Sequence, residues 1–533
     1  MPYSNIMKRL IVITLLLLIA TVVITVKYFK NLSLPGQRTN QVINTIPNSA
    51  AFVFEFSNDG SFYDIYSKSE LFTAITGRKK MNELHTLHMA LLNNSVLKPL
   101  FASQDIFISV HQQKTDSLDY LITLPANGVI DRAAINHVKN LQKSIALQSI
   151  KIAGKNGYEV TIESLGKNFY IADKGNNIWT GSFSKVLVEE SLAYKPQNKS
   201  IFTLLPNQQN ATLLGNLYVN YVQLTPLLTQ LYKNVNIDFW KGLPMLPGTT
   251  ALSLNYKSDA LMFNGFTTFK KEQATSYINL FRNMKPVESD IENIFPITTA
   301  YSNSYAVDNA KHFISLLANW QQRAGLSKDK AKLFNRIKAE TGVQINQEFN
   351  ALLDNEFAIV TTRFQERLAI IKVKNGASLR PYFNNISTMV NDNIGQFNYN
   401  QVPLFLLGDA LTPFRKPYFI IVDNYLVLAN TQRELSNYKE NYFNNDFLSK
   451  GEEYIEFNNL LAQRSNINFF IHFKNAAGVF KRILKPAYAK AFQLEPGFKN
   501  YYAAAYQLSA TDNEFYTNLC IKLIIPDSVN LKK

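Results

Sequence analysis

The sequence predicts an α+β protein of two tandem similar domains, each with a mixed or antiparallel sheet and packed helices, preceded by one transmembrane helix. Its 533 residues exceed the roughly 250 to 300 residues that one hydrophobic core usually supports. The 37 Phe and 27 Tyr favour half-buried strands. A content of 46% apolar and 18% charged residues is typical of a chain that folds.

The first element along the chain is an uncharged apolar run from Leu10 to Val26, which we predict to be the transmembrane helix. Its helical length of about 26 Å is a little less than the roughly 30 Å hydrocarbon core of a bilayer. A cleaved signal peptide is the alternative, since it also has a basic start and an apolar core. We favour an uncleaved signal-anchor, because the run exceeds the roughly 7 to 15 residues of a signal core and no small-residue cleavage site follows.

The predicted helix separates a cytoplasmic head (residues 1–9) from a polar tether (residues 27–44). A short basic head commonly stays in the cytoplasm, whereas a long domain is exported largely regardless of its charge. We therefore predict a single-pass membrane protein of the bacterial cell envelope. Its N-terminus would be cytoplasmic and its body periplasmic or otherwise extracytoplasmic.

The formal charge of +15 does not indicate nucleic-acid binding. Several basic residues lie in the first forty positions, which contain no acid, and the others are spread over a long body. Such a surface favours anionic lipids or polymers at most. The predicted partners are the membrane, through Leu10 to Val26, and an envelope protein, lipid or polymer, but no nucleic acid.

After the tether, one pattern of strands and helices runs twice, with matched positions about 250 residues apart. We predict a first α+β repeat (residues 45–271), a connector (272–293), a second repeat (294–525) and a tail (526–533). Whether the two sheets merge is left open by the pattern. Two predicted strand pairs of the first repeat match two of the second. The pair Asp105–His111 and Asp119–Leu124 matches the pair Glu356–Arg363 and Arg367–Val373. The pair Thr249–Tyr256 and Leu261–Phe269 matches the pair Tyr501–Leu508 and Phe515–Ile524.

Three Ser-x-x-Lys matches are the first candidates for chemistry, because this motif supplies nucleophile and base in penicillin-binding enzymes. Neither partner motif of those enzymes, Ser-Asp-Asn or Lys-Thr-Gly, occurs in the sequence. We interpret Ser182 as a helix cap with Lys185 exposed, and we predict a capping box at Thr431 and Glu434 in the second repeat. The three matches are Ser182 with Lys185, Ser327 with Lys330, and Ser436 with Lys439.

A metal site is a second candidate, since His85 and His88 lie three residues apart beside Glu83 in a helical stretch. A third ligand and a His-Glu-x-x-His motif are missing, so structural histidines are the preferred interpretation. The lone Cys520 lies in an alternating apolar run and is expected to be a buried, inert thiol. The remaining histidines are scattered, at His111, His137, His312 and His472.

The sequence gives little support for a nucleotide-binding loop or for a catalytic pair of carboxylates. The sequence contains no Gly-x-Gly-x-x-Gly, Walker loop or Gly-x-Ser-x-Gly elbow, so we predict no cofactor. Trp240 to Pro247 is an apolar loop that could form a ligand lip or an interface, although helix-to-strand connectors look the same. Several carboxylates recur at strand edges and turns, where turn chemistry explains them without catalysis: Asp105, Asp173, Asp259, Glu356, Asp423 and Asp512.

The strand opening Ile46, Pro47, Asn48, Ser49, Ala50, Ala51 and Phe52, after an apolar helix and a polar tether, resembles a bacterial membrane-anchored family, domain of unknown function thirty-three fifty-two. The Pro-x-x-Ala-apolar opening is echoed at Pro247 to Leu252 and, more loosely, at Pro296 to Ala300. The resemblance would cover most of the body. It implies no reaction, ligand or catalytic residue.

Two classes of function follow from the sequence. The first is a noncatalytic membrane-anchored extracytoplasmic binding or scaffold protein, which the lack of a recognisable catalytic or metal set favours. The alternative is an extracytoplasmic hydrolase with an unrecognised active site, for which a deep cleft holding convergent carboxylates or Ser182 with Lys185 would be the sign. We predict no catalytic, cofactor-binding or metal-binding residue.

Overall fold

The computed structural model describes a set of ranges that carry most of the predicted body. Alternating apolar residues produce strands whose inner faces are buried, and amphipathic segments between them form helices packed on those faces. The described residues are 41–112, 118–128, 145–195, 202, 214–233, 248–269, 276–494, 498–512 and 514–524.

The described strands divide evenly between the two halves of the chain, apart from one small pair. In the first half they are β1 (Ala50–Ser57), β2 (Asp105–Gln112), β3 (Leu118–Pro125), β4 (Ile145–Ile152), β5 (Lys155–Ile162), β6 (Lys167–Gly175), β7 (Ile178–Ser182), β8 (Asn216–Asn220), β9 (Gly248–Tyr256) and β10 (Ala260–Phe269). The others are β11 (Val287–Glu288), β12 (Thr299–Ala306), β13 (Leu353–Thr362), β14 (Arg367–Val373), β15 (Ser387–Met389), β16 (Ile394–Phe397), β17 (Tyr418–Val422), β18 (Tyr425–Ala429), β19 (Arg464–Ser465), β20 (Ile467–His472), β21 (Tyr501–Ala510) and β22 (Phe515–Leu523).

The helices connect these strands. In the first half they are α1 (Gly60–Lys68), α2 (Glu70–Thr76), α3 (Arg78–Leu87), which continues as a π-helical turn (His88–Leu92), α4 (Lys98–Phe101), α5 (Lys185–Ala193) and α6 (Leu224–Leu231). In the second half they are α7 (Ala310–Arg323), α8 (Ser327–Thr341), α9 (Ile345–Leu352), α10 (Gly376–Asn385), α11 (Val402–Leu407), α12 (Gln432–Asn444), α13 (Glu452–Asn458), α14 (Phe473–Ile483) and α15 (Pro486–Leu494). Short 3-10 helices lie at Glu163–Leu165, Tyr221–Gln223, Tyr277–Phe281, Ile291–Ile294, Asp409–Leu411, Leu448–Lys450 and Phe498–Asn500.

The predicted division into two tandem domains is wrong, because twenty strands form one continuous sheet. The pairings between described strands give the order β4-β5-β6-β7-β3-β2-β1-β8-β9-β10-β22-β21-β20-β12-β13-β14-β18-β17-β16-β15, with neighbours antiparallel. The second ten strands repeat the arrangement of the first ten in reverse order. The two halves therefore share a strand order, but they merge through their last strands instead of packing as separate units.

The junction between the halves is the β10–β22 pair, in which Asn264 faces Asn518. A buried cluster of hydroxyl groups lies beside this pair. The Thr267 hydroxyl is 2.7 Å from that of Thr517 and 2.6 Å from that of Thr250. Hydrogen bonds from these oxygens continue to Tyr221, which also contacts Tyr506 of the other half. The cluster therefore links β9 and β10 to β21 and β22 through side chains as well as backbone.

The largest hydrophobic cluster contains residues of both halves and of the predicted connector, where Tyr277, Ile278 and Phe281 are buried. Within this cluster, aromatic rings fill the space between sheet and helices in the second half. The Phe383 ring of α10 lies 5.3 Å from Phe397 and 5.7 Å from Phe419, measured between ring centroids. In the first half, the corresponding side of the sheet carries two smaller, separate clusters.

The predicted single-pass topology also needs correction. In the ranges that the structure describes, no helix is both long and apolar enough to cross a membrane. The run from Leu10 to Val26 lies outside the described residues, as do the predicted head and tail and most of the tether. The end of the tether is described: Val42 and Ile43 are buried with Ile46 in a cluster beside β1 and β8.

Candidate functional site

The most distinctive concave feature of the described chain is an apolar cavity of about 100 Å³ in the first half. It lies between β3 to β7 on one side and α3, the π-helical turn and α4 on the other, and it is partly open. Its described lining is aliphatic or aromatic except at two positions of β7. The lining residues are Leu87, Leu91, Leu92, Leu97, Phe101, Ile122, Leu124, Leu147, Tyr158, Phe169, Ile171, Trp179, Thr180 and Gly181.

The period of two in a strand explains how the sheet supplies its side of the cavity, because alternate residues face the same way. Ile122 and Leu124 do so on β3, and Phe169 and Ile171 on β6. Gly181 is required by the same packing, since a Cβ atom added there would lie 2.6 Å from the Phe169 ring. The absent side chain at Gly181 therefore lets the Phe169 ring pack closely against β7.

The cavity exists because two hydrophobic clusters flank it without merging. One cluster includes Phe101 and Trp179, and the other includes Leu91 and Phe169. Protein interiors are normally packed with few voids larger than a water molecule. An apolar space at this position is therefore a candidate ligand site.

A charged group lies near the cavity, formed by residues that do not line it. On α3, Glu83 is 3% exposed and accepts hydrogen bonds from two ammonium groups, at 2.9 Å from Lys80 and at 2.6 Å from Lys167 of β6. Burial alone would raise the pKa of Glu83, but the hydrogen bonds from Lys167 and Lys80 hold it below its usual value. The carboxylate is therefore ionised, and the group of three side chains carries one net positive charge.

Aromatic rings connect this charged group to the cavity. The Lys80 ammonium lies 4.9 Å from the ring centroid of Tyr120, and the Lys167 ammonium lies 5.3 Å from that of Phe183. The Phe183 ring is in turn 5.0 Å from that of Phe169 in the cavity wall. Burial, with the charge of Glu83 adding to it, raises the pKa of Tyr120 above its usual range, so this hydroxyl stays protonated.

A serine and a lysine that the sequence analysis missed lie on the opposite face of the sheet. The Lys174 ammonium donates at 2.7 Å to the Ser191 hydroxyl, at 2.7 Å to the Ser191 carbonyl and at 2.7 Å to the Thr45 carbonyl. Burial, and then the charge of Lys155, lowers the pKa of Lys174 to about 7. The pair has the distance of a nucleophile and its base, but Ser191 is 0% exposed. Lys174 instead has the geometry of a lysine that caps the last turn of α5.

The Ser182–Lys185 pair is not brought together as a nucleophile and base. The Ser182 hydroxyl donates to the Tyr120 carbonyl at 2.8 Å and accepts from the Ser184 backbone at 3.0 Å, and Lys185 is exposed at the start of α5. The helix cap is Ser184, whose hydroxyl accepts from the Leu187 backbone. The cap therefore lies two residues after the predicted one.

The other two Ser-x-x-Lys matches lie at the surface of helices. Lys330 donates to Gln321 at 2.9 Å and not to Ser327. Ser436 and Lys439 line a polar groove of about 400 Å³ beside α12. The predicted capping box is confirmed: the Glu434 backbone donates to the Thr431 hydroxyl, and the Glu434 carboxylate accepts from the Thr431 backbone.

The buried and half-buried histidines are held by structural contacts. The His88 ring stacks on Tyr63 with 3.6 Å between centroids, and burial lowers the pKa of His88 to about 4. His85 is exposed and His111 is buried between two serines. Across the described ranges, no group of three His, Cys, Asp or Glu side chains is placed to hold a metal ion; His137 lies outside them.

His472 caps α14, accepting from the Asn475 backbone at 3.2 Å. His312 is exposed on α7. The thiol of Cys520 is buried in β22, and burial, with the charge of Asp259 adding to it, raises its pKa to about 12. A thiol with so high a pKa is inert at neutral pH. The apolar loop from Trp240 to Pro247 lies outside the described residues.

Most of the predicted carboxylates lie at strand ends and turns. Asp173 accepts from the Gly175 backbone, and Asp423 accepts from the Tyr442 hydroxyl; Asp105 begins β2, whereas Asp259 and Asp512 lie in hairpin turns. Glu356 differs, because it is 1% exposed. It accepts at 2.7 Å from the Ser289 hydroxyl, and from Lys372 and two backbone N–H groups.

Glu292, which the sequence analysis did not select, lies near Glu356. Its oxygens accept from Asn468 at 2.6 Å and from Tyr454 at 2.8 Å. Burial, opposed by these hydrogen bonds, raises the pKa of Glu292. Each carboxylate is held by hydrogen-bond donors of the surrounding segments, and this arrangement fits a structural clamp on residues 289–292.

Comparison with known proteins adds little to this geometry. No family model matches the chain, and no curated protein matches it. The solved crystal form III of TP0453 is 11% identical and covers 47% of this chain and 89% of its own, with a TM-score of 0.24. A similarity at this level carries no argument about fold or function, and the resemblance to the family of unknown function stays a prediction.

Proposed function

We propose that this protein is a noncatalytic binding or scaffold protein whose first-half cavity takes an apolar ligand such as an alkyl chain. The observation that carries the proposal is the partly open cavity of about 100 Å³ with an almost wholly apolar described lining. Apolar cavities of similar size, around 150 Å³, stay dry and bind small apolar molecules. Transfer of such a ligand from water into the cavity is favourable through the hydrophobic effect.

A hydrolase has less support. Neither Ser182 nor Ser191 combines an accessible hydroxyl with a lysine free to act as base: Ser182 is 1% exposed and Ser191 is 0% exposed. The carboxylates Glu292 and Glu356 accept several hydrogen bonds from neighbouring segments. These groups therefore support a structural role better than a catalytic one.

The proposal is tested by titrating the full chain with a series of straight-chain primary alcohols and by measuring their binding with saturation-transfer NMR. Each further methylene that enters the cavity contributes about 0.8 kcal/mol, which strengthens binding about fourfold. We expect affinity to rise with chain length and to level off once the cavity is full. Binding that does not depend on chain length would contradict the proposal.

Two matched variants locate the binding. Leu91→Trp places a larger side chain in the cavity wall and is expected to abolish alcohol binding. Met89→Trp makes the same kind of change in the same π-helical turn at a side chain that is 46% exposed, and it should bind as the wild type does. Equal binding by both variants would show that the alcohol binds elsewhere.

A further inference from the structure

We infer that the cavity takes a single-chain amphiphile with an anionic head group, which Lys80 and Lys167 recognise. This inference rests on the proposed function, because it adds a head-group site to the apolar cavity. It follows from the arrangement of charged and apolar residues along three elements that meet at the cavity.

On α3, Lys80, Glu83 and Leu87 are spaced three and four residues apart and therefore lie on one face of the helix. Leu87 lines the cavity, and the two charged residues precede it by one and two turns. The helix thus leads from a charged end to an apolar end over about 10 Å, at roughly 1.5 Å per residue.

The two strands opposite this helix show the same order. On β6, Lys167 precedes Phe169 and Ile171 on one face, and both of the latter line the cavity. On β3, Tyr120 precedes Ile122 and Leu124 in the same way. The hydrogen bond of 2.6 Å between Lys167 and Glu83 shows that the charged ends of helix and sheet meet. An occupant of the cavity would therefore have its polar end at these side chains.

The charge at this end suits an anion. Two ammonium groups share one carboxylate, and each ammonium has three N–H donors of which Glu83 takes one. The side chains of Lys80 and Lys167 are 44% and 39% exposed, so donors remain for a ligand. Arg78 and Lys79 precede Lys80 in the first turn of α3, which contains no acid. A carboxylate or phosphate head would gain charge-assisted hydrogen bonds here.

The simpler alternative is that the two lysines only neutralise the buried Glu83. Under that alternative, changes at these positions alter the stability of the protein but do not alter its preference between a charged and a neutral ligand. The preference for the head group is therefore the quantity to measure.

The experiment compares octanoate with 1-octanol on the full-length chain at neutral pH by ligand-observed NMR. We expect octanoate to bind roughly tenfold more tightly than octanol at low ionic strength, and this ratio to fall as salt is added. Lys167→Gln should remove most of the preference. Glu83→Gln should increase the preference, because it removes the competing carboxylate and keeps both lysines.

The opposite signs of these two variants separate recognition from a structural role. A ratio near one in the wild type, or a ratio that Lys167→Gln and Glu83→Gln do not move in opposite directions, would overturn the inference and leave the apolar cavity standing. If neither octanol nor octanoate binds, the proposed function itself fails. Co-sedimentation with phosphatidylglycerol vesicles distinguishes the sources: binding that Lys167→Gln weakens indicates a lipid, and octanoate binding without sedimentation indicates a free alkanoate.

Discussion

The buried His111 makes stability depend on pH in a way that can be calculated from the structure. This side chain is 1% exposed on β2. Its Nδ1 lies 3.0 Å from the Ser49 hydroxyl and its Nε2 lies 2.8 Å from the Ser109 hydroxyl. Burial, with the positive charge of Lys174 adding to it, lowers the pKa of His111 to about 4.

The sign follows from comparison with the unfolded chain, in which a histidine has a pKa of about 6.5. Because the folded protein binds the proton less well, stability is fully present above about pH 6.5 and is lost as the pH falls toward about 4. At roughly 1.4 kcal/mol per pH unit, this interval corresponds to about 3 kcal/mol. That loss is a large share of the roughly 5 to 15 kcal/mol that stabilise a typical domain.

We expect His111→Gln to remove this part of the acid sensitivity, because glutamine does not titrate and can hydrogen-bond to both serines. The measurement is urea unfolding at about pH 7 and at about pH 4, monitored by tryptophan fluorescence. The free energy of unfolding should fall by about 3 kcal/mol less in the variant than in the wild type. His88 and His472 also lose stability in acid, but they contribute equally to both proteins and cancel in the difference.

His312→Gln is the matched control, since this histidine is exposed on α7 and its replacement should leave the acid sensitivity unchanged. The reasoning is refuted if His111→Gln and the wild type lose the same stability in acid. It is also refuted if His312→Gln protects the protein as well as His111→Gln does.

Three further predictions concern the sheet junction, the Glu292 clamp and a helix cap. Thr267→Val removes a hydroxyl from the buried junction cluster and should lower the free energy of unfolding by roughly 1 to 3 kcal/mol, measured by urea unfolding. The control Thr268→Val, on the more exposed face of β10, should change it by less than about 0.5 kcal/mol. Equal effects of the two variants would argue against a stabilising role of the cluster. The folded pKa of Glu292 is raised, so the wild type loses stability as the pH rises above the unfolded value of about 4.5. Glu292→Gln should therefore gain stability relative to the wild type as the pH rises above that value, measured by urea unfolding. A difference that does not vary with pH would contradict this. Thr431→Ala should cost about 1 kcal/mol through loss of the capping box, and an unchanged urea midpoint would show that the cap does not contribute.

Local elements of this protein were predictable because their signals lie close together in the sequence. The predicted strand pair Thr249–Tyr256 with Leu261–Phe269 is observed as β9 and β10, within one residue at each end. Strand alternation and a polar turn suffice to specify such a hairpin. The capping box predicted at Thr431 and Glu434 is present at the start of α12. The boundary between α14 and α15 lies just before Pro486, because proline cannot continue a helix from the preceding turn.

The candidate site was not predictable, since its residues come from distant parts of the chain. Lys80 and Lys167 carry ordinary surface-like sequence contexts, and only the pairing of α3 with β6 places them on one carboxylate. His85 and His88 of the same region could be selected from the sequence, because histidine is a residue type that commonly binds metals. An apolar cavity has no such signature, because its lining residues cannot be distinguished in sequence from those of a filled core.

The mixture of strands and helices, the hairpins and the recurrence of one strand order at about 250 residues could be recognised in the sequence, because their signals are local or periodic. The merging of the two halves into one sheet, through β10 and β22, is visible only in the three-dimensional structure. The physical reason is that edge strands join through backbone C=O groups, which every residue carries, and backbone N–H groups, which only proline lacks. Tertiary structure likewise decided where aromatic rings fill the space under the sheet, around Phe383 in the second half, and where a cavity remains, beside Trp179 in the first.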